Sequence, residues 1–268
     1  MKPETRKVLY DNLGSLPAFI KNELPETYEK IGNILIVNLP QKVNPYKKDI
    51  GAAYKKAFGV KTVLLKGKIY GEYRIPDFDI IAGSDTETIH KENGVLYKLD
   101  LLQVMFSSGN INERIRMATL PRNEKVVDMF AGIGYFTLPV AVHCHSRVDA
   151  VEKNGYALNY LRENIALNSV QNLVTPYHMD CREYTGCADR VIMGHPDAHL
   201  FLETAFDIVK TGVIHYHEFT PESRFDRPVS RITKAAQKAG CTIRIDQMHK
   251  IKKYAPGVWH MVYDICVV

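Results

Sequence analysis

The chain has 268 residues, 46% hydrophobic and 24% charged, enough to bury a full core and suited to a soluble globular protein of two domains. No stretch approaches the roughly 18 apolar residues of a membrane span, and the start, Met1-Lys2-Pro3-Glu4-Thr5-Arg6, lacks a secretory signal's apolar core, so a cytoplasmic location is expected. The net charge of +5 is uneven: residues 126–268 carry fifteen basic and fifteen acidic side chains, and residues 1–125 carry twenty and fifteen, which directs any anionic partner toward the N-terminal half.

Five cysteines, at 144, 181, 187, 241 and 266, are odd in number and form no C-x-x-C pair. They read as reduced thiols, most of them in predicted core strands or at their ends, without a disulfide framework. His143-Cys144-His145 and His215-Tyr216-His217 bring no evident further ligands, so no metal is expected. No coiled-coil or exposed apolar stripe is visible, and a monomer is expected.

Residues 1–28, with Gly14, Pro17 and Pro25, read as an extension on a small α+β domain at 29–105. In that domain Ile31–Leu39 reads as a strand, Asp49–Phe58 as a helix, and 62–65, 79–82 and 95–99 as further strands. Between Lys42 and Lys68 stand eight lysines against one acid, Asp49. Tyr46, Tyr54 and Phe58 are interleaved with them, a pattern suited to a phosphate backbone with unstacked bases nearby. Lys47, Lys48, Lys55 and Lys56 are the candidate contacts. The other reading is a solvated helix face.

The joint with the second domain, 106–268, falls in 105–120, where Ser107-Ser108-Gly109-Asn110 reads as a turn and 111–117 as a helix. Val126–Phe136 then reads as a buried strand breaking into a glycine turn that opens a helix near Tyr135, with Phe130 and Gly132 at the point where a nucleotide-like ligand docks. Val148–Glu152 is a second apolar run. Its terminal carboxylate lies about 20 residues downstream of the turn, the spacing of an acid that accepts ribose hydroxyls. Further runs end at Asp180, span Ala188–Met193 and span Gly212–Phe219, with helical periodicity at 156–168 and 200–209. Strands alternating with helices predict a parallel, doubly wound sheet. Thr137 replaces the third glycine of a dinucleotide fingerprint, which disfavours a pyrophosphate.

An acid after the second strand with Asp180 after the third resembles the class I S-adenosylmethionine-dependent enzymes. Several blocks together, Thr86–Gly94, the N-x-x-E-R of Asn110–Arg114, the D-M-F-A-G-I-G of 128–134, Glu163-Asn164-Ile165 and Ala255-Pro256-Gly257, resemble two related tRNA enzymes. One methylates guanosine at position 37; the other is the wybutosine-synthesis aminocarboxypropyltransferase. The methyltransferase pattern has S-P-R or N-P-R at the joint and Asn-Leu-Pro or Asn-Pro-Pro after the fourth strand. Here Ser107-Ser108-Gly109 and Gly194-His195-Pro196 stand instead, and Glu152-Lys153-Asn154-Gly155 is similar to the Glu-Lys-Asn-Pro of the archaeal aminocarboxypropyltransferases. Ile214–Glu218 and Lys250–His260 also look like that branch. Departures from it are Asp180-Cys181 for its usual Asp-Asn and His195-Pro196 for its Tyr-Val.

The resemblance implies a class I methyltransferase-like (Rossmann-like) α/β domain that transfers the 3-amino-3-carboxypropyl group of S-adenosylmethionine to carbon 7 of 4-demethylwyosine at position 37 of tRNA(Phe). It carries Ser107, Arg114, Glu152, Asp180 and Cys181 onto cofactor contacts and Arg74 onto the target nucleotide in the anticodon region. Glu113 and His195 are candidates for proton handling or contact with the base; the competing readings are an ion pair to Arg114 or Arg116 and a turn residue. A position-37 or wyosine-ring methyltransferase is the first alternative, and a non-catalytic tRNA-binding module the second.

Overall fold

The computed structural model describes residues 1–14 and 16–268, in two units, Met1–Ser108 and Gly109–Val268.

The first unit begins with α1 (Pro3–Asp11) and α2 (Phe19–Glu23), continues through β1 (Tyr28–Ile31) and β2 (Ile34–Val37), and then enters α3 (Lys47–Phe58). After α3 come β3 (Thr62–Leu65), the two-residue strands β4 (Ile69–Tyr70) and β5 (Ile75–Pro76), β6 (Asp79–Ala82), and the hairpin of β7 (Glu87–Glu92) and β8 (Val95–Asp100). The main sheet runs β1-β2-β3-β6, with only β2 and β3 parallel. Ile50, Ala53 and Tyr54, spaced for one helix face, bury that face of α3. Gly59 ends the helix in the left-handed region, φ +61°, with the Val60 N–H returning to the Lys55 carbonyl. Residues 1–28 supply Leu9, Leu13 and Ile20 to the same core as Leu35, Ile50 and Val63.

Tyr54 and Phe58 are core rings rather than base platforms. Tyr54 is fully buried, stacks on Phe58 at 5.9 Å, and has its phenol raised by burial. Phe58 packs edge-on to Tyr28 at 4.6 Å. The large apolar area of these rings is worth more in the small core than against solvent.

The second unit opens with α4 (Ile111–Met117) and β9 (Lys125–Asp128), followed by the three-residue α5 (Thr137–Pro139) and a π-turn over 140–144. Next come β10 (Arg147–Glu152), α6 (Gly155–Leu167), β11 (Val174–His178), β12 (Arg190–Met193), α7 (Leu202–Ile208) and β13 (Gly212–Pro221). The unit closes with α8 (Arg227–Ala239) and a long hairpin of β14 (Ile243–Ala255) and β15 (Val258–Val267). The sheet order is β11-β10-β9-β12-β13-β15-β14, parallel as far as β13 and antiparallel beyond it.

Connections run outward from β9 in one direction and from β12 in the other, so the crevice between β9 and β12 is the topological switch point where ligands of such sheets bind. β9 and β12 are buried along most of their length, as parallel strands covered on both faces are. Leu202, Phe206, Ile232 and Ala236 of α7 and α8 pack in one cluster with Val191, Ile214 and Tyr263 of the sheet. Beyond Phe219, where the sequence offers motifs alone, α8 packs on the sheet and the β14–β15 hairpin completes it. The helix expected to open at Tyr135 is reduced to α5 and the π-turn, because Pro139 offers no N–H to continue the ladder. No helix among the described residues is long and apolar enough to cross a membrane.

The five cysteines carry no disulfide; Cys144 and Cys181 are buried, and Cys187 is exposed in a loop rather than in a core strand. No group of three or more His, Cys, Asp or Glu among the described residues could hold a metal ion.

Candidate active site

Asp128, the last residue of β9, organises the turn that follows. Fully buried, it accepts the Phe130 N–H at 3.3 Å on one oxygen and the Thr137 hydroxyl at 2.8 Å on the other. Burial lifts its carboxyl to about 6 despite these bonds. Gly132 and Gly134 take φ of +56° and +101°, backbone that a side chain would strain. The buried Asn164 of α6 ties the turn from the far side, its amide donating to the Ile133 carbonyl at 3.0 Å. Asp128 and Asn164 were quoted within motifs without a role; their buried polar atoms at a turn were the available signal.

Glu152 stands across the turn. One carboxylate oxygen accepts the Gly132 N–H at 2.7 Å and the other accepts the Asn154 N–H at 2.6 Å. Burial raises this carboxyl while the backbone N–H donors work the other way. Each oxygen keeps a lone pair, the inventory needed for two vicinal ribose hydroxyls. The turn's N–H groups are not an open helix end: Gly132 N–H goes to Glu152, and Gly134 N–H to the Ala131 carbonyl at 2.8 Å.

After β11, Asp180 caps the short turn Cys181–Glu183 and is gripped by Arg182, at 2.8 Å from Nε and 2.6 Å from Nη2, with Lys153 Nζ at 3.5 Å. The Arg182 hydrogen bond holds its carboxyl well below the usual range. Cys181 is buried, which pushes its thiol up to about 12, so its side chain is an apolar wall rather than a thiolate. The Phe130 ring stacks on His195 at 5.0 Å and meets Phe201 edge-on at 5.1 Å. His195 Nδ1 accepts the Asp197 N–H at 3.1 Å, so His195 serves the turn after β12 and covers Phe130. Its neighbour Gly194 has no room for a side chain: a Cβ there would lie 2.6 Å from the buried Phe136 ring, itself backed by His217 at 5.2 Å.

On α4, Glu113, Arg114 and Met117 are buried. Glu113 receives both Nε and Nη2 of Arg116, at 2.9 and 2.7 Å, so its charge is committed to the ion pair named above as the competing reading. Arg116 also donates to Asp264 at 2.7 Å, and Asp264 lies 2.6 Å from His215 Nδ1 and 3.0 Å from His249 Nε2. His215 Nε2 faces Arg190 Nη1 at 2.8 Å, and Arg190 pairs with Glu124 at 2.6 Å. A guanidinium only donates, so His215 accepts at Nε2 and donates Nδ1–H to Asp264. Burial favours this neutral ring and lowers the His215 pKa. Burial works to raise Asp264, but the His215 hydrogen bond and the Arg116 charge outweigh it and hold that carboxyl well below the usual range. His217 and His260 form a second buried pair, Nδ1 to Nε2 at 3.0 Å, each lowered to about 3 by burial. Glu113, Arg116, His215 and His217 stand out in the sequence, but nothing in it joins them to Asp264, His249, Arg190 and Glu124.

In the first unit, Arg74 sits at the tip between β4 and β5 with φ +54° and its guanidinium 3.4 Å from Met105 Sδ. Lys48, Lys55 and Lys56 line one open groove with Gly59, Val60 and Gly83. Lys47 instead pairs with Asp79. Ser107 is the penultimate residue of this unit, in an irregular stretch directly before the turn Ser108–Asn110. Glu152, Gly132, Phe130, His195, Asp180 and Cys181 thus all stand at the C-terminal ends of β9 to β12, and Glu113 and Arg114 on α4 of the same unit.

The family model for the TRM5/TYW2 methyltransferase domain matches residues 88–244, and that for the TYW2 N-terminal domain matches residues 9–86. The tRNA(Phe) (4-demethylwyosine(37)-C(7)) aminocarboxypropyltransferase of Pyrococcus horikoshii is 43% identical over 273 residues, spanning 100% of this chain and 97% of that protein. The tRNA (guanine(37)-N(1))-methyltransferase Trm5b of Pyrococcus abyssi is 40% identical over 265 residues, 96% of this chain and 80% of that one. The crystal structure of Pyrococcus horikoshii TYW2 in complex with MeSAdo superposes with a TM-score of 0.89 at 40% identity, covering 100% and 99% of the two chains. With most of its length accounted for by these matches, the chain belongs to the TRM5/TYW2 family.

Proposed function

We propose that this protein transfers the 3-amino-3-carboxypropyl group of S-adenosylmethionine to carbon 7 of 4-demethylwyosine at position 37 of tRNA(Phe), in wyosine-derivative synthesis. It is an S-adenosylmethionine-dependent transferase acting on tRNA. When bound, S-adenosylmethionine supplies a sulfonium-activated γ-carbon and leaves as methylthioadenosine.

The residues present fit that co-substrate. Glu152 has acceptor capacity for both ribose hydroxyls, Phe130 with Cys181 forms an apolar flank, and Asp180 can accept an exocyclic amine while staying ionised. Arg114 is assigned to the methionine carboxylate, a role that suits a planar charged fork, and Ser107 to the polar end of the same arm. Oriented reactants gain up to about 7–11 kcal/mol from alignment alone, so positioning carries the chemistry and no covalent enzyme intermediate is required. His195, over Phe130, remains the candidate for contact with the base; the burial of Glu113 in its ion pair with Arg116 favours a scaffolding role for that carboxylate.

The observation that carries this choice over methyl transfer is Gly194. The methyltransferase pattern places an asparagine there, and with a Cβ 2.6 Å from the Phe136 ring such a side chain would force that ring aside. The substrate is read in the anticodon region, with Arg74 at the target nucleotide and Lys48, Lys55 and Lys56 on phosphates. The protein acts as a cytoplasmic monomer, with an N-terminal extension at 1–28, a small tRNA-binding domain at 29–105 and a catalytic domain at 106–268. Incubation with labelled S-adenosylmethionine and tRNA(Phe) carrying 4-demethylwyosine or guanosine at position 37 tests the reading. Methylthioadenosine formed only with the modified tRNA supports it; S-adenosylhomocysteine makes the protein a methyltransferase.

A further inference from the structure

The lysine-rich helix α3 offers no exposed ring for a base, since Tyr54 and Phe58 belong to the core. Exposed aromatics interleaved with lysines occur elsewhere, at the tip of the β14–β15 hairpin. From Gln247 to Tyr263 the chain carries Lys250, Lys252 and Lys253 and no acid. Tyr254 is 53% exposed and stacks face to face on Phe219 of β13, with centroids 4.0 Å apart and planes 15° from parallel. Lys253 lies 5.4 Å from the Trp259 ring centroid, and Lys250 lies 5.2 Å from Trp259 and 4.9 Å from Phe225. Trp259 is itself anchored by its indole N–H donating to Glu222 at 2.7 Å.

Lysines on an edge strand commonly do no more than block edge-to-edge pairing. Two features go beyond that. The strand is bulged between Lys250 and Lys252 and again between Lys253 and Ala255, irregularities that re-aim side chains away from simple alternation. The position is also specific. β12 ends at Met193, opposite Tyr216, whereas β13 continues to Phe219 and Pro221, which pair with His260 and Val258. The hairpin tip therefore projects from the same sheet edge that carries the glycine turn and Gly194. Lys252 reaches the start of α4, where a Cβ on Gly109 would lie 3.1 Å from its Nζ.

We propose that this hairpin tip is a second RNA-contacting element, in which Tyr254 stacks an unpaired base of the tRNA and Lys250 and Lys253 neutralise the adjoining phosphates. The inference rests on tRNA being the substrate. A ring already supported on one face by Phe219 presents a rigid platform, and base stacking on such rings tolerates any base identity.

The test measures affinity for tRNA(Phe) by fluorescence anisotropy across a salt series for the wild type, Tyr254→Ala, Tyr254→Phe and the double variant Lys250→Gln/Lys253→Gln. Affinity for S-adenosylmethionine and thermal melting are followed in parallel. Loss of one stacked base predicts tRNA binding about 5- to 150-fold weaker for Tyr254→Ala, with Tyr254→Phe within about twofold of wild type. The lysine pair predicts a fall of roughly 1.4 in the slope of log affinity against log salt, two single-strand phosphates. Unchanged affinity and slope in folded variants overturn the inference, as does an equal loss of S-adenosylmethionine binding. Should Tyr254→Ala not fold, the exposed lysine pair decides alone. Failure of the wild type to bind tRNA would overturn the functional reading as well, an outcome separable from failure of the hairpin alone.

Discussion

Glu152 and Gly132 meet across the glycine turn, the Gly132 N–H donating to the Glu152 carboxylate at 2.7 Å, so the side chain proposed as the ribose acceptor also closes the turn. Glu152→Ala should therefore lose two effects at once. Charge-assisted hydrogen bonds of about 1.5–3 kcal/mol each imply S-adenosylmethionine binding weakened on the order of 100-fold or more. Glu152→Gln, which keeps an acceptor, should fall between. Titration calorimetry decides: an affinity within about threefold of wild type for the alanine variant would remove Glu152 from the ribose site.

Gly194 is expected to tolerate little. Alanine forces the Phe136 ring to move against His217, and asparagine adds an amide to the same space. Overpacking of this kind costs roughly 1–3 kcal/mol. Beside the proposed donor site, it should lower methylthioadenosine release by about 100-fold for Gly194→Asn and less for Gly194→Ala. Product chromatography reads this directly, and full activity in Gly194→Asn would show that the crowding has no bearing on the donor pose.

Asp128 makes stability pH-dependent in a defined direction. Its carboxyl is raised in the folded state from an ordinary 3.8 to about 6, so the contribution is complete below pH 3.8 and is lost as pH rises through about 6. A shift of that size corresponds to about 3 kcal/mol. Asp128→Asn keeps the acceptor for the Phe130 N–H and cannot ionise. Melting curves from pH 4 to 7 should show wild type losing stability relative to Asp128→Asn as pH increases; parallel curves would mean that Asp128 titrates normally.

Arg116 joins the buried Glu113 to the partly buried Asp264. Arg116→Ala leaves the buried Glu113 carboxylate without its ion-pair partner and Asp264 with its histidine partners alone, and breaking a buried pair costs about 3–5 kcal/mol. For a protein of this size that is on the order of 10 °C in Tm. Calorimetric melting checks it, and a shift below about 2 °C would show the pair to be solvated and weak.

The sequence by itself determined the features set by short-range chemistry. Strand-to-helix alternation, the glycine turn after β9 and the acid at 152 were legible, because side-chain periodicity and positive-φ turns depend on residues within a few positions of one another. Only the tertiary structure decided the rest. Arg116 and Asp264 are 148 residues apart in the chain, and their pairing exists because β15 returns beside β13 under α4. The same holds for Tyr54, whose place among lysines suggested a base contact until the packing of α1, α3 and the sheet enclosed it. Tyr254 was quoted only for its motif, and the stack on Phe219 follows from pairing across the sheet. Hydrophobic burial and charge pairing act between surfaces, and which surfaces face each other is a property of the whole fold.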